Sequence, residues 1–226
     1  MALWCLLIKT HVYRSRHLTD TLDGVDLGRP LTDIIPGPRG QLLATLAQLE
    51  APVTVRALAR YADVAPQTAL NVVNDLADAG IVSAERAGSA QMITLNRAHI
   101  LAEPLISLSR TRARLIQRLT GELATWPLLA GAWLFGSAAR GTGDRESDVD
   151  LLLVAEESTQ AAHWAAGTAQ LVDRVLSWTG NHAQLVEHTR SSFAQLVRSD
   201  NPLVAAVRAE GIALTPHSRS LLRRVA

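Results

Sequence analysis

Two aspartates one residue apart, Asp148 and Asp150, open an apolar run a short way after a Gly136-Ser137 pair. The segment begins Trp133-Leu134-Phe135-Gly136-Ser137-Ala138-Ala139-Arg140-Gly141. It ends Ser147-Asp148-Val149-Asp150-Leu151-Leu152-Leu153-Val154. Residues 148–154 are dense in Val and Leu and short enough for a buried strand. Side chains two apart on a strand share a face, so both carboxylates point one way and Val149 the other. Two neighbouring carboxylates repel unless a cation neutralises them. Oxygen ligands of this kind suit Mg²⁺, which takes one or two carboxylates and leaves its other positions to substrate phosphates and water. The chemistry within reach is the handling of a metal-bound triphosphate.

Gly136 and Ser137 approach the same problem from the other side. A glycine lets backbone come close to a phosphate, and a following helix aims free N–H groups at it. The Ser137 hydroxyl can donate to a phosphate oxygen, and Arg140, about one helical turn on, can add a charge-assisted contact. The Walker arrangement is absent, and the only lysine in the chain is Lys9.

Gly-Ser, a spacer and then Asp-x-Asp on the next strand resemble the minimal nucleotidyltransferases of the DNA polymerase β superfamily. The likeness includes Ala139-Arg140-Gly141 and Ser147, and spans residues 126–226. It implies transfer of a nucleoside monophosphate from an NTP to an acceptor hydroxyl, with pyrophosphate released. Asp148 and Asp150 would hold Mg²⁺, and Gly136, Ser137, Arg140 and Ser147 would face the nucleotide.

The resemblance also implies a third carboxylate on a later strand. The strand expected over residues 181–188 contains one acid, Glu187, which becomes the candidate catalytic residue. Gln184, three positions earlier, points to the opposite face. Should Gln184 face the metal, this strand supplies no base. His182 and His188 share the Gln184 face and read as polar surface residues rather than ligands.

The elements that must position these residues give an α+β chain. Gly and Pro punctuate residues 20–40, so residues 1–37 read as an arm and linker. Residues 38–97 follow as three helices and a hairpin. The third helix is bounded by Pro66 and Gly80, and the hairpin turns at Arg86-Ala87-Gly88-Ser89. This order resembles the winged helix-turn-helix module. By that resemblance Gln67, Thr68 and Asn71 would meet base edges, and Arg86 in the wing, with Arg56 and Arg60, would meet phosphates of double-stranded DNA. The presumed reading helix has no Lys or Arg but carries Asp75 and Asp78, and residues 1–125 hold 13 basic against 11 acidic side chains. The electrostatic attraction is therefore faint.

Residues 98–125 read as one long connecting helix. Its Leu101, Leu105, Leu108, Leu115, Leu119 and Leu123 suit packing on its own domains, or else a seam between two copies in a homodimer. Residues 126–226 complete the nucleotidyltransferase domain, a mixed sheet with flanking helices whose core takes Trp126, Trp133, Trp164 and Trp178.

The 226 residues are near neutral, at +1, and 48% hydrophobic, enough for one sizeable core or two smaller ones. One cysteine, Cys5, forms no internal disulfide, so a reducing cytoplasm is expected. The apolar opening stops at Lys9, too short to span a membrane. The rival functional reading is a DNA-binding transcriptional regulator whose second domain senses nucleotide or is inactive. The acceptor and the preferred NTP are left open.

Overall fold

The computed structural model describes residues 24–223, apart from Ser89 and Asp200. The apolar opening, Cys5 and most of the expected N-terminal arm lie outside the described residues. What is described falls into two compact units. One comprises residues 29–111, and the other runs from 112 onward together with the segment ending at Gly28.

The first unit contains α1 (Leu31–Ile34), α2 (Pro38–Gln48), β1 (Val53–Thr54), α3 (Val55–Ala62), α4 (Pro66–Asp78), β2 (Val82–Ala87), β3 (Ala90–Leu95) and α5 (Ala102–Ser109). Local chemistry sets these boundaries. Pro38 and Pro66 begin their helices at the position where a missing N–H costs nothing. The Thr54 hydroxyl caps α3 by accepting from the Ala57 N–H at 3.1 Å. Asp63, at φ 57°, turns the chain out of α3. Asn96 Nδ2 donates to the Gly80 carbonyl at 2.8 Å, tying the end of β3 to the end of α4. The strands pair antiparallel in the order β1-β3-β2, and Leu42, Leu46, Leu58, Val73, Leu76 and Ile93 lie at the centre of the core.

Two expectations are revised here. Within the Gly- and Pro-rich stretch, residues 24–40 are not a free linker, since they include α1 and the start of α2, and Leu27 is buried in the second unit's core and Leu31 in the first. The expected long connecting helix is two, because the chain breaks at Arg110 (φ −97°, ψ 14°), between α5 and α6 (Thr111–Leu123). The break divides the leucine stripe. Leu105 and Leu108 pack in the first core, whereas Leu115, Leu119 and Leu123 are buried in the second. A seam between copies would need that stripe exposed, and of its six leucines only Leu101 is substantially so.

The second unit continues from α6 with β4 (Leu129–Phe135), α7 (Gly136–Arg140), β5 (Val149–Ala155), α8 (Ala161–Thr179), β6 (Ala183–Thr189), α9 (Arg190–Arg198), α10 (Pro202–Glu210), β7 (Ile212–Ala213) and α11 (Ser218–Leu221). Its mixed sheet has the order β6-β5-β4-β7. Strands β5 and β6 are parallel, with α8 as the crossover that parallel pairing requires, and the other pairs are antiparallel.

Each face of this sheet has its own core. Val149, Leu151 and Leu153 of β5 and Leu185 of β6 pack with Leu119 of α6 and Leu171 and Val175 of α8. Leu152 and Val154 point the other way, onto Trp133, Phe193 and Val197 of α9, and Val204 and Val207 of α10. Each such fully buried side chain contributes about 1.5–3 kcal/mol relative to exposure. The alternation fixes which residues of β5 and β6 face which helices. No helix among the described residues is long and apolar enough to cross a membrane.

Candidate active site

Asp150 has the parity of Leu152 and Val154, so its carboxylate emerges on the α9–α10 face, at the edge of that core. Asp148 stands one residue ahead of β5 and is exposed. In the antiparallel register Phe135 lies opposite Asp150, so Gly136, the next residue, leaves β4 beside the carboxylates. Gly136 adopts φ 69°, a conformation natural to glycine, and a Cβ built there would stand 2.1 Å from Asp150 Oδ2. Backbone and carboxylate approach so closely because position 136 has no side chain.

Burial and the neighbouring charge of Asp148 push the Asp150 carboxyl up to about 6; Arg140 acts against the shift and Glu210 adds to it. A half-buried carboxylate beside another is a group that a cation would relieve. Among the described residues no three His, Cys, Asp or Glu side chains gather to hold a metal. Two carboxylates with no third ligand fit Mg²⁺ shared with substrate phosphates, and do not fit a cage made wholly of protein.

Helix α7 is fixed from below. Arg112 donates from Nε to the Ala138 carbonyl at 2.7 Å and from Nη2 to the Ala139 carbonyl, binding carbonyls at the helix C-terminus. Gly141, at φ 75°, closes the helix. The loop onward to Asp148 is held by Asn181, which is 2% exposed. Its Nδ2 donates to the Ser147 carbonyl at 3.1 Å and the Val25 carbonyl at 3.3 Å, and its Oδ1 accepts from the Val25 N–H at 3.1 Å. Ser147 itself donates to Asp144 Oδ1 at 2.6 Å, which helps hold the Asp144 carboxyl below its ordinary value. Ser147 therefore shapes the loop.

Arg140 is engaged too. Its Nη1 donates to both carboxylate oxygens of Glu210, at 2.7 Å each. Glu210 is the last residue of α10, on the Asp150 face of the sheet.

Glu187 is not brought to the aspartates. The parallel register sets Asp150 beside Gln184 and Leu153 beside Glu187, so Glu187 points to the α8 face, where its Oε2 accepts from Trp164 Nε1. The residue flanking Asp150 on β6 is an amide. His188, on the Asp150 side of β6, lies 6.3 Å from the Phe193 ring, and burial lowers its pKa. His182 Nδ1 is buried without a hydrogen-bond partner among the described residues.

Sequence reasoning missed two residues. In sequence Asn181 reads only as the start of a strand, although an amide ahead of an apolar strand has to bond nearby backbone once buried. Glu210 carried a clearer signal, because an acid in the last turn of a helix opposes the helix dipole.

In the first unit Gln67 and Asn71 are exposed on α4 and joined by a 3.1 Å hydrogen bond, Thr68 is half-buried, and Arg86 is exposed on β2. An open cleft of about 510 Å³ runs past Thr54, Arg56, Pro66, Gln67, Leu70 and Gln91.

Residues 116–202 match the family model for the nucleotidyltransferase domain. That span contains Gly136, Ser137, Arg140, Asp148 and Asp150 and stops short of Glu210. No curated protein matches the sequence. Among solved structures, human N-acetylserotonin methyltransferase in complex with SAM is similar over 37% of this chain and 27% of its own, at 14% identity and a TM-score of 0.24. A likeness that slight bears on neither fold nor activity.

Proposed function

We propose that the unit running from residue 112 transfers a nucleoside monophosphate from an NTP to an acceptor hydroxyl, with Mg²⁺ held by Asp148 and Asp150. The observation that carries this reading is the meeting of the Asp150 carboxylate with the bare backbone of Gly136, inside a span that matches nucleotidyltransferase domains. Mg²⁺, when bound, would offset polyphosphate charge and polarise the reacting phosphorus. The chain's own part is to bind and orient. Gly136 and Ser137 receive the phosphates, Arg140 adds charge, and the loop tied down by Asn181 holds Asp148 in place. The acceptor oxygen then attacks the α-phosphorus in line with the departing pyrophosphate.

The test is incubation of the purified chain and Mg²⁺ with each α-labelled NTP and a cell extract resolved into protein, RNA and small molecules. Label should enter one fraction and disappear in the Asp148→Ala, Asp150→Ala double variant. Label that persists in that variant removes the proposal.

We further infer that residues 38–97 form a winged helix-turn-helix that binds double-stranded DNA. The exposed amides of Gln67 and Asn71, and the exposed guanidiniums of Arg56, Arg60 and Arg86, support it. Replacing Arg86 with Ala should weaken binding across DNA sequences alike and reduce the salt slope by about one. No retention of genomic fragments at low salt would sink this part. Gln184, standing where an acid was expected, favours the rival of a nucleotide-sensing regulator; label transfer decides between the two.

A further inference from the structure

We infer that Glu210 is the general base of this site, released from Arg140 when a polyphosphate takes the guanidinium. The inference rests on the nucleotidyl-transfer reading above and goes further by assigning the proton.

Strand β6 supplies no acid beside Asp150, because its register puts Gln184 there and turns Glu187 to the other face. The carboxylate that does reach the Asp150 side comes from the opposite edge of the sheet. Strand β7 pairs with β4 through Leu134 and Ile212, so the chain just before β7 lies next to the end of β4, where Gly136 departs. Glu210 sits there, at the close of α10, whose Val204 and Val207 pack on the Asp150 face. It is close enough for its charge to be felt at Asp150.

Among the described residues its ion-pair partner is Arg140, with the two side chains 48% and 24% exposed. A pair that open to water is worth little, about 0–1 kcal/mol, whereas a triphosphate offers the same guanidinium several charges and bidentate geometry. Phosphate therefore displaces the carboxylate. The placement of Glu210 is also locally unfavourable, since an acid at a helix C-terminus meets the negative end of the dipole. Such departures from local preference concentrate at functional sites.

In the step proposed, the acceptor O–H gives its proton to the Glu210 carboxylate, and the oxygen's electron pair forms the bond to the α-phosphorus. The bond from that phosphorus to the bridging oxygen breaks, and pyrophosphate leaves with those electrons. Nothing is oxidised or reduced.

The test compares native chain, Glu210→Gln and Glu210→Asp in two measurements. The first is binding of α,β-methylene analogues of the four NTPs, which do not turn over; the second is label transfer into the fraction that the native chain labels. Glu210→Gln should bind an analogue about three-fold more tightly, the worth of one exposed ion pair. Its transfer rate should fall by about 100-fold or more, the usual contribution of a general base. Glu210→Asp, which keeps a carboxylate one methylene further back, should recover part of the rate. Transfer by Glu210→Gln within about three-fold of native overturns the base while leaving nucleotidyl transfer intact. Weaker analogue binding by Glu210→Gln overturns the exchange of partners. Absence of transfer by the native chain removes the function and the base together.

Discussion

Asp150 and Glu187 stand on neighbouring parallel strands of one sheet and meet opposite fates. Asp150 faces the α9–α10 side, at a sheet end where Gly136, Arg140 and Glu210 converge, and its carboxyl is pushed up to about 6. Glu187, one strand over, faces α8 and spends an oxygen on the Trp164 indole N–H. The difference is parity of register: a shift of a single residue moves a side chain from one face to the other. The face of the sheet, more than proximity along it, decides which acid can meet a substrate.

The strongest way to break the comparison is at the close approach that defines the Asp150 side. Gly136→Ala forces a Cβ to within 2.1 Å of Asp150 Oδ2, at φ 69°. The left-handed conformation alone costs about 1–2 kcal/mol, and the carboxylate must also move. Label transfer should fall by about 100-fold, since displacements near 1 Å cost that much where positioning is the catalysis. A variant with native transfer would show that the contact between Gly136 and Asp150 does not matter.

Next in size is Asn181→Ala. It takes the shared amide donor from the Ser147 and Val25 carbonyls, in a place where Asn181 is only 2% exposed, while the Val25 N–H keeps the Thr179 carbonyl at 2.9 Å. Lost partners at a buried site should cost about 2–3 kcal/mol, read from the midpoint of urea unfolding. An unchanged midpoint would show that the loop carrying Ser147 and Asp148 holds its shape without the amide.

Much of the Asp150 side was readable from sequence, because alternation along an apolar run dictates that Asp148 and Asp150 share a face and that Gln184 opposes Glu187. What alternation within one strand does not give is the register between two. Choosing between Gln184 and Glu187 required knowing that Asp150 lies beside residue 184. Glu210 stands out locally as an acid at a helix end, but its place in the site was still less accessible. It meets Arg140 across 70 residues, through the pairing of a two-residue strand with β4. The helix elements of the first unit were legible through Pro66, Gly80 and the apolar period, since those signals are local. The connecting helix misled because its leucines keep a helical spacing straight through Arg110, while two separate cores bury the two halves.

Asp150→Asn sharpens the comparison through stability. The folded value, about 6, lies above the ordinary 3.8, so between those pH values the native state holds more protons than the unfolded state. Stability is therefore lost as pH rises through that window, and the deficit persists above it. The amide removes the titration. Allowing for solvent screening of a partly exposed group, the variant should gain about 1 kcal/mol at neutral pH, seen as a higher Tm, and nothing near pH 4. A gain that is equal at both pH values would mean that packing, not charge, separates the two side chains.

The smallest effect is expected on the other face, and it is the control for all the rest. Glu187→Gln keeps an oxygen that can accept from Trp164 Nε1 and removes only the charge. Because the sheet itself stands between this group and Asp150, transfer should stay within about two-fold of native, while tryptophan fluorescence reports the altered partner of the indole. A fall of ten-fold or more would mean that Glu187 reaches the reacting groups after all, by a change of register between β5 and β6. That change would move Gln184 off the Asp150 face at the same time, so Gln184→Glu should then leave transfer unaltered. With the register seen here, the same substitution sets a third negative charge beside two that already repel, and should bind Mg²⁺ more tightly than the native chain. The pair of substitutions thus separates a site assembled by parity from one assembled by mere nearness.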